Sequence, residues 1–127
     1  ELLPGLKAGT ILALSGPLGA GKTTFVQALA RALRIKEIPV SPTFSLVRTY
    51  LVKGHTLIKR MVHVDAYRIE RAEDVMTLGL DELLEESGTM MCLEWPEQVD
   101  TWLQRYKARV IRVKIQVCEH DRRVEIS

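Results

Sequence analysis

The 127-residue chain is expected to fold as a three-layer α/β domain with a mixed central sheet and β-hairpins. Three observations predict this. A short, nearly unbroken apolar run at residues 10–15 leads into a glycine-rich turn and then a helical repeat, the strand–loop–helix order of a parallel sheet. Two more apolar runs, Met61-Val62-His63-Val64-Asp65 and Met90-Met91-Cys92-Leu93-Glu94, each end in a carboxylate. Strand-like and helix-like stretches are mixed along the chain without repeats, low-complexity tracts or a linker, so residues 1–127 read as one domain.

Taken in order, Thr10-Ile11-Leu12-Ala13-Leu14-Ser15 has the composition of a strand buried on both faces. From Thr23 to Leu33, Phe25, Leu29 and Leu33 recur four apart with Val26 and Ala30 beside them, which predicts a helix. Pro39 and Pro42 exclude helix from the connection Arg34 to Pro42. Phe44 to Val52 and Leu57 to Asp65 are rich in β-branched and apolar residues around Lys53-Gly54-His55, a hairpin pattern. Glu70 to Asp74 is polar and helical in composition, and Leu80 to Glu86 reads as a short helix after Gly79. Met90 to Leu93 is a short buried strand. Pro96 opens a helix running to about Gln104, at a position where its missing N–H is not needed. Val110, Ile111, Val113, Ile115 and Val117 interleaved with Arg112, Lys114 and Gln116 predict a half-exposed strand, with Arg122 to Ile126 returning as a second hairpin.

The balance of 46% hydrophobic and 27% charged residues is that of an ordinary soluble protein. A net charge of +2 does not argue for nucleic-acid binding, and the pairs Lys59-Arg60 and Arg122-Arg123 read as solvated surface. Cys92 and Cys118 lack CxxC spacing and read as reduced thiols. His55, His63 and His120 form no metal-ligand pattern. With no apolar run long enough for a membrane span and no visible signal peptide, the expected location is the cytoplasm, with no membrane partner.

Gly16-Pro17-Leu18-Gly19-Ala20-Gly21-Lys22-Thr23 matches G-x-x-x-x-G-K-[ST], the phosphate loop of P-loop NTPases, between a buried strand and an amphipathic helix as that motif requires. Glycines let backbone amides approach phosphate oxygens, and the helix beginning near Lys22 aims its free amides and dipole at them. Lys22 supplies a mobile charge to the β- and γ-phosphates, and the Thr23 hydroxyl suits Mg²⁺. Leu18, Gly19, Ala20, Gly21, Lys22, Thr23 and Thr24 are therefore expected to hold ATP with Mg²⁺. A plain glycine-rich turn would not need Lys-Thr at that spacing.

In an open α/β sheet the site lies outside the carboxyl ends of the strands. Asp65 and Glu94, each at such an end, can hold Mg²⁺ directly or through water, or orient the attacking water, and the sequence does not divide those roles between them. Thr43, in Ser41-Pro42-Thr43-Phe44, lies where P-loop proteins often carry a phosphate-sensing hydroxyl, although a simple turn fits the spacing equally well. Trp95 directly follows Glu94; alone, it would more often be a core or partner-contact residue than part of the chemistry.

Four ordered blocks give the chain a closer resemblance. Leu18 to Phe25, Ser41-Pro42-Thr43-Phe44 with Tyr50 beyond it, His63-Val64-Asp65-Ala66-Tyr67-Arg68 and Glu94-Trp95-Pro96 together resemble the bacterial TsaE (YjeE) ATPases of tRNA threonylcarbamoyladenosine synthesis. Leu78-Gly79-Leu80 also fits. The first block is generic, whereas the other three in this order are specific. The resemblance implies that Thr23, Asp65 and Glu94 serve Mg²⁺ and hydrolysis, that the loop holding Thr43 behaves as a switch, and that Trp95 joins the nucleotide site. It implies low ATPase activity alone, and a TsaB–TsaD complex as partner, through which tRNA is reached. Two residues depart from the pattern: Pro17 replaces a usual acid, and Ala66 a commoner leucine. The family also usually carries a helical segment ahead of its first strand.

Two other classes compete. A small-molecule kinase shares the phosphate loop but needs an acceptor pocket and an arginine-bearing lid, for which Arg68 and Arg71 are candidates on a segment without convincing lid length. A regulatory GTPase would carry N-K-x-D and D-x-x-G signatures, which are not found after the loop.

Overall fold

A computed structural model of the chain describes residues 6–17, 21–36, 47–53, 55, 57–67, 69, 78–118 and 121–127, apart from the side chains of 117, 118, 121 and 122. Its elements are β1 (Ile11–Ser15), α1 (Lys22–Ala32), β2 (Val47–Leu51), β3 (Arg60–Asp65), α2 (Leu80–Glu85), β4 (Thr89–Glu94), α3 (Asp100–Gln104), β5 (Val110–Cys118) and β6 (Asp121–Ile126), with 3-10 turns at Pro96–Val99 and Lys107–Arg109. The strands form one mixed sheet in the order β2-β3-β4-β1-β5-β6. β3, β4, β1 and β5 run parallel, and β2 and β6 join antiparallel at the two edges.

Period-2 alternation divides the core between the two faces of the sheet. Leu12 and Leu14 of β1, Met61 of β3, Met90 and Cys92 of β4, and Val113 and Ile115 of β5 pack with Val26, Leu29 and Ala30 of α1. Ile11 and Ala13, Val62 and Val64, and Met91 and Leu93 face the other way, onto Leu80 and Leu84 of α2 and Trp102 and Leu103 of α3. Helices on both faces make three layers, the architecture predicted. They also explain why β1 and β4 read as unbroken apolar runs: Ile11 to Leu14 and Thr89 to Glu94 are all buried. β5 keeps its charged residues Arg112 and Lys114 in solvent while Val113 and Ile115 are buried, as a half-exposed strand should.

Both predicted hairpin pairings form. Val47 to Leu51 pairs with Arg60 to Val64, and Val113 to Cys118 with Asp121 to Ile126. The first is shorter than the apolar composition implied: β3 starts at Arg60, and Leu57 is exposed. The helix predicted from Pro96 to about Gln104 is divided. Pro96–Val99 is a 3-10 turn, and Val99 at φ −131° leaves helical geometry before α3 begins at Asp100. The helical reading of residues 70–74 lies outside the described residues. Among the described residues no helix is long and apolar enough to cross a membrane. Cys92 is a free, buried thiol whose pKa burial pushes far up, with Glu94 adding to the effect, so it stays protonated and unreactive.

Candidate nucleotide site

The parallel order β3-β4-β1 brings three strand ends together. Asp65 pairs in register with Glu94, and Glu94 with Leu14, one residue before Ser15 ends β1. The backbone ties these ends: the Trp95 N–H donates to the Leu14 carbonyl (3.3 Å) and the Ala66 N–H to the Glu94 carbonyl (3.0 Å). Both acids therefore lie to one side of the point where the chain leaves β1 for the phosphate loop. That is where an open α/β sheet places its ligand.

α1 enters this corner from Gly21, whose φ of 102° is left-handed and admits glycine without strain. Among the described residues no side chain caps the helix and no acid lies in its first turn, so no side chain among them competes with an anion for the terminal amides. Lys22 is buried, and its ammonium donates to the carbonyls of Gly16 (2.5 Å) and Pro17 (2.9 Å). It also lies 4.3 Å from the centroid of the Trp95 ring. Burial lowers the Lys22 pKa, while the negative charges of Glu94, Glu97 and Asp65 partly restore it.

Glu94 is 3% exposed, the deepest acid of the site. Its Oε2 lies 3.5 Å from the Thr23 hydroxyl and 2.6 Å from Nε2 of the fully buried His63. Asp65 is half-buried and accepts the Tyr67 backbone N–H on Oδ1 (3.0 Å). Trp95 adopts φ 61°, a left-handed conformation costly for a bulky side chain and doubly unusual before a proline. It is held by the Leu14 carbonyl and by the Tyr67 ring, at 4.8 Å between centroids.

The structure thus brings together Lys22, Thr23, Asp65, Glu94 and Trp95 and places Thr24 exposed in the first turn of α1. Leu18, Gly19, Ala20 and Thr43, and the arginines Arg68 and Arg71 considered for a kinase lid, lie outside the described residues. Sequence reasoning placed His63 in a strand-end apolar run and in the block His63 to Arg68 but gave it no role of its own, testing the histidines only for a metal-ligand spacing. The usable signal was its place two residues before a strand-end acid, on the same face of β3.

The donor set suits a Mg²⁺ that arrives with nucleotide phosphates. Such an ion takes one or two protein oxygens rather than a dedicated cage. Thr23 and Glu94 offer a hydroxyl and a carboxylate side by side, and no group of three or more His, Cys, Asp and Glu side chains that could hold a metal occurs among the described residues. A cavity of about 290 Å³ lined by Lys7, Gly9, Thr10 and Arg109 lies instead at the amino ends of β1 and β5, away from this chemistry.

Fold and site together define an α/β protein of the P-loop NTPase class. Comparison with known proteins narrows the class. A family model described as threonylcarbamoyl adenosine biosynthesis protein TsaE matches residues 1–124, and the chain belongs to that family. Several bacterial relatives carry the name tRNA threonylcarbamoyladenosine biosynthesis protein TsaE. The Treponema pallidum protein is 38% identical over 83% of this chain and 73% of its own length. The Bacillus subtilis protein is 36% identical over 83% of this chain and 62% of its own length. The Nostoc protein is 40% identical over 74% of this chain and 57% of its own length, so the last two matches span less than two thirds of the relative.

Proposed function

We propose that this chain is a partner-dependent ATPase, converting ATP to ADP and phosphate in support of threonylcarbamoyladenosine formation next to the anticodon of tRNA. One observation carries the chemistry: Thr23 and Glu94, 71 positions apart in sequence, meet 3.5 Å apart at the mouth of the phosphate loop. Family membership carries the pathway, because the curated relatives are named for it.

In this reading the loop amides and the α1 N-terminus bind the phosphates. Lys22 exchanges its contacts with the Gly16 and Pro17 carbonyls for β- and γ-phosphate oxygens. Thr23 and Glu94 would hold Mg²⁺ and leave Asp65, beside Glu94 in register, to orient water. When bound, Mg²⁺ neutralises charge on the phosphoryl oxygens. Water attacks the γ-phosphorus in line, the new P–O bond forms as the bond to the β-phosphate oxygen breaks, the water's proton passes to the phosphate product, and ADP leaves. Thr43 senses the γ-phosphate from the switch loop, and Trp95 closes the site beside Lys22. The partner is a TsaB–TsaD complex, and tRNA is met through it, in keeping with a net charge of only +2. The cytoplasm is the compartment where these substrates occur.

ATP hydrolysis measured first alone, then with a TsaB–TsaD pair and tRNA, tests the reading. Slow turnover alone and strong stimulation in the full mixture are expected. Transfer of the γ-phosphate to a metabolite instead of water would replace it with the kinase reading.

A further inference from the structure

We propose that His63 is a positioning residue for Glu94: its Nε2–H donates to Glu94 Oε2 and fixes that carboxylate beside Thr23. The proposal rests on the hydrolysis reading and deepens it.

The tautomer follows from burial. His63 is fully buried, its Nε2 lies 2.6 Å from Glu94 Oε2, and its Nδ1 finds no partner among the described residues. A proton on Nδ1 would be a buried N–H without an acceptor, which folded proteins tolerate more rarely than a bare lone pair. The proton therefore belongs on Nε2, and the imidazole is the donor to the carboxylate.

The carboxylate needs such a donor. Glutamate has three side-chain torsions, and among the described residues the Glu94 carboxylate otherwise accepts only the long 3.5 Å contact from the Thr23 hydroxyl. Among the described residues Lys22 is the cation of the site, and it is committed to the loop carbonyls and the Trp95 ring. Among the described residues the one ion-pair-distance partner of Glu94 is His63.

The sheet makes the arrangement directional. His63 pairs in register with Cys92, so it sits diagonally behind Glu94, one side-chain repeat deeper in the sheet. It holds Oε2, the same oxygen that lies 3.5 Å from the Thr23 hydroxyl, from the interior of the sheet. A pair that merely filled the core would have no reason to involve that oxygen at the loop.

Four forms of the protein test this: the parent chain, His63→Leu, His63→Gln and His63→Asn. The glutamine amide reaches where Nε2 was, whereas asparagine falls short. Long-range ¹⁵N–¹H spectra of the nucleotide-free parent chain should show the His63 proton on Nε2, and a proton on Nδ1 alone would overturn the proposal. With the TsaB–TsaD pair and tRNA present, His63→Leu should lower kcat by about 10–100-fold, the usual loss for a residue supporting a metal-site ligand, with KM for MgATP little changed. His63→Gln should restore most of it. Unchanged kcat in His63→Leu, or equal kcat losses in Leu and Gln that follow equal losses of Tm, would overturn it. If the leucine variant does not fold, asparagine against glutamine makes the same comparison.

If the parent chain never hydrolyses ATP, the hydrolysis reading fails by itself. The strengthening of ADP binding by added Mg²⁺ then decides the present proposal. Loss in the leucine or asparagine variant with recovery in glutamine supports it, and identical strengthening in all forms overturns it.

Discussion

The Lys22 ammonium lies 4.3 Å from the centre of the Trp95 ring while donating to two carbonyls of its own loop. A cation at this distance is attracted to the indole face and perturbs its electronic environment. Nucleotide phosphates should draw Lys22 away, so MgADP or MgATP should change Trp95 fluorescence. Trp95→Phe should remove the response. The second tryptophan, Trp102, is buried and donates its indole N–H to Asp81, away from Lys22, and should remain silent. A full response persisting in Trp95→Phe would place the ligand elsewhere.

The same lysine gives a pH dependence. Burial holds its pKa below the ordinary lysine value, against the pull of Glu94, Glu97 and Asp65. Only the protonated form attracts phosphate. ADP affinity should therefore weaken as pH rises through the lowered pKa, before ordinary lysines titrate. In Lys22→Arg, whose charge persists, whatever affinity remains should not fall over that range. Stability should move the other way. Between the lowered pKa and the ordinary value the unfolded chain binds more protons than the native one, so Lys22 makes stability rise with pH there. Calorimetric ADP titrations and urea melts across the alkaline range read the two opposite slopes.

Glu94 separates binding from turnover. Glu94→Gln keeps an oxygen that can accept from His63 and should leave Tm and the affinity for ADP without Mg²⁺ near the parent values, while turnover falls by about 10²-fold or more. Glu94→Ala additionally strands the buried His63 N–H and should lose about 1–3 kcal/mol of stability. Equal loss of ADP binding and turnover in Glu94→Gln, measured by calorimetry and phosphate release, would make Glu94 structural.

Much of this was legible in the chain because single elements carry it. The phosphate-loop spacing places Lys22 and Thr23 at a helix start, and apolar runs ending in acids place Asp65 and Glu94 at strand ends. His63 was not legible, because its meaning depends on which strands are neighbours and in what register. Only the β3–β4 pairing puts an internal residue of one strand against the terminal acid of the other. Trp95 was half-legible: its neighbourhood could be read, but not the left-handed backbone that sets the indole over Lys22. The division of the helix after Pro96 was likewise hidden, since apolar spacing does not distinguish a 3-10 turn from α-helix over one turn.

Gly88 provides a perturbation remote from the site. It precedes β4 at φ 79°, and a Cβ there would meet Lys59 Cγ at 2.7 Å and the Lys59 backbone nitrogen at 3.2 Å. Its carbonyl also accepts the N–H groups of Lys59 (2.7 Å) and Arg60 (3.1 Å). Gly88→Ala should lose about 1–2 kcal/mol from the left-handed backbone alone. Because Gly88 lies at the amino end of β4 and Glu94 at its carboxyl end, nucleotide affinity below the melting temperature should be unchanged. Thermal unfolding with and without ADP measures both, and a comparable loss of affinity would show that the two ends of β4 are coupled.

Asp81 links the two helices on the α2–α3 face. Its Oδ1 accepts the Trp102 indole N–H (3.0 Å), an Arg105 guanidinium N–H (3.0 Å) and the Tyr106 hydroxyl. Burial alone would raise its pKa, but the bonds from Tyr106 and Trp102, with the charge and bond of Arg105, outweigh it and hold the carboxyl below its ordinary value. The unfolded chain consequently takes up this proton first as pH falls. The stabilisation is complete above the ordinary carboxylate range, declines through it, and is gone below the lowered native pKa. Asp81→Ala should cost about 2–3 kcal/mol at neutral pH, mostly from the part-buried Trp102 and Tyr106 donors, since Arg105 is solvent-screened. Asp81→Asn should cost less and remove this residue's share of the acid slope. Urea unfolding followed by Trp102 fluorescence at neutral and acid pH reads both effects. An acid slope unchanged in Asp81→Asn would mean that another carboxylate carries it.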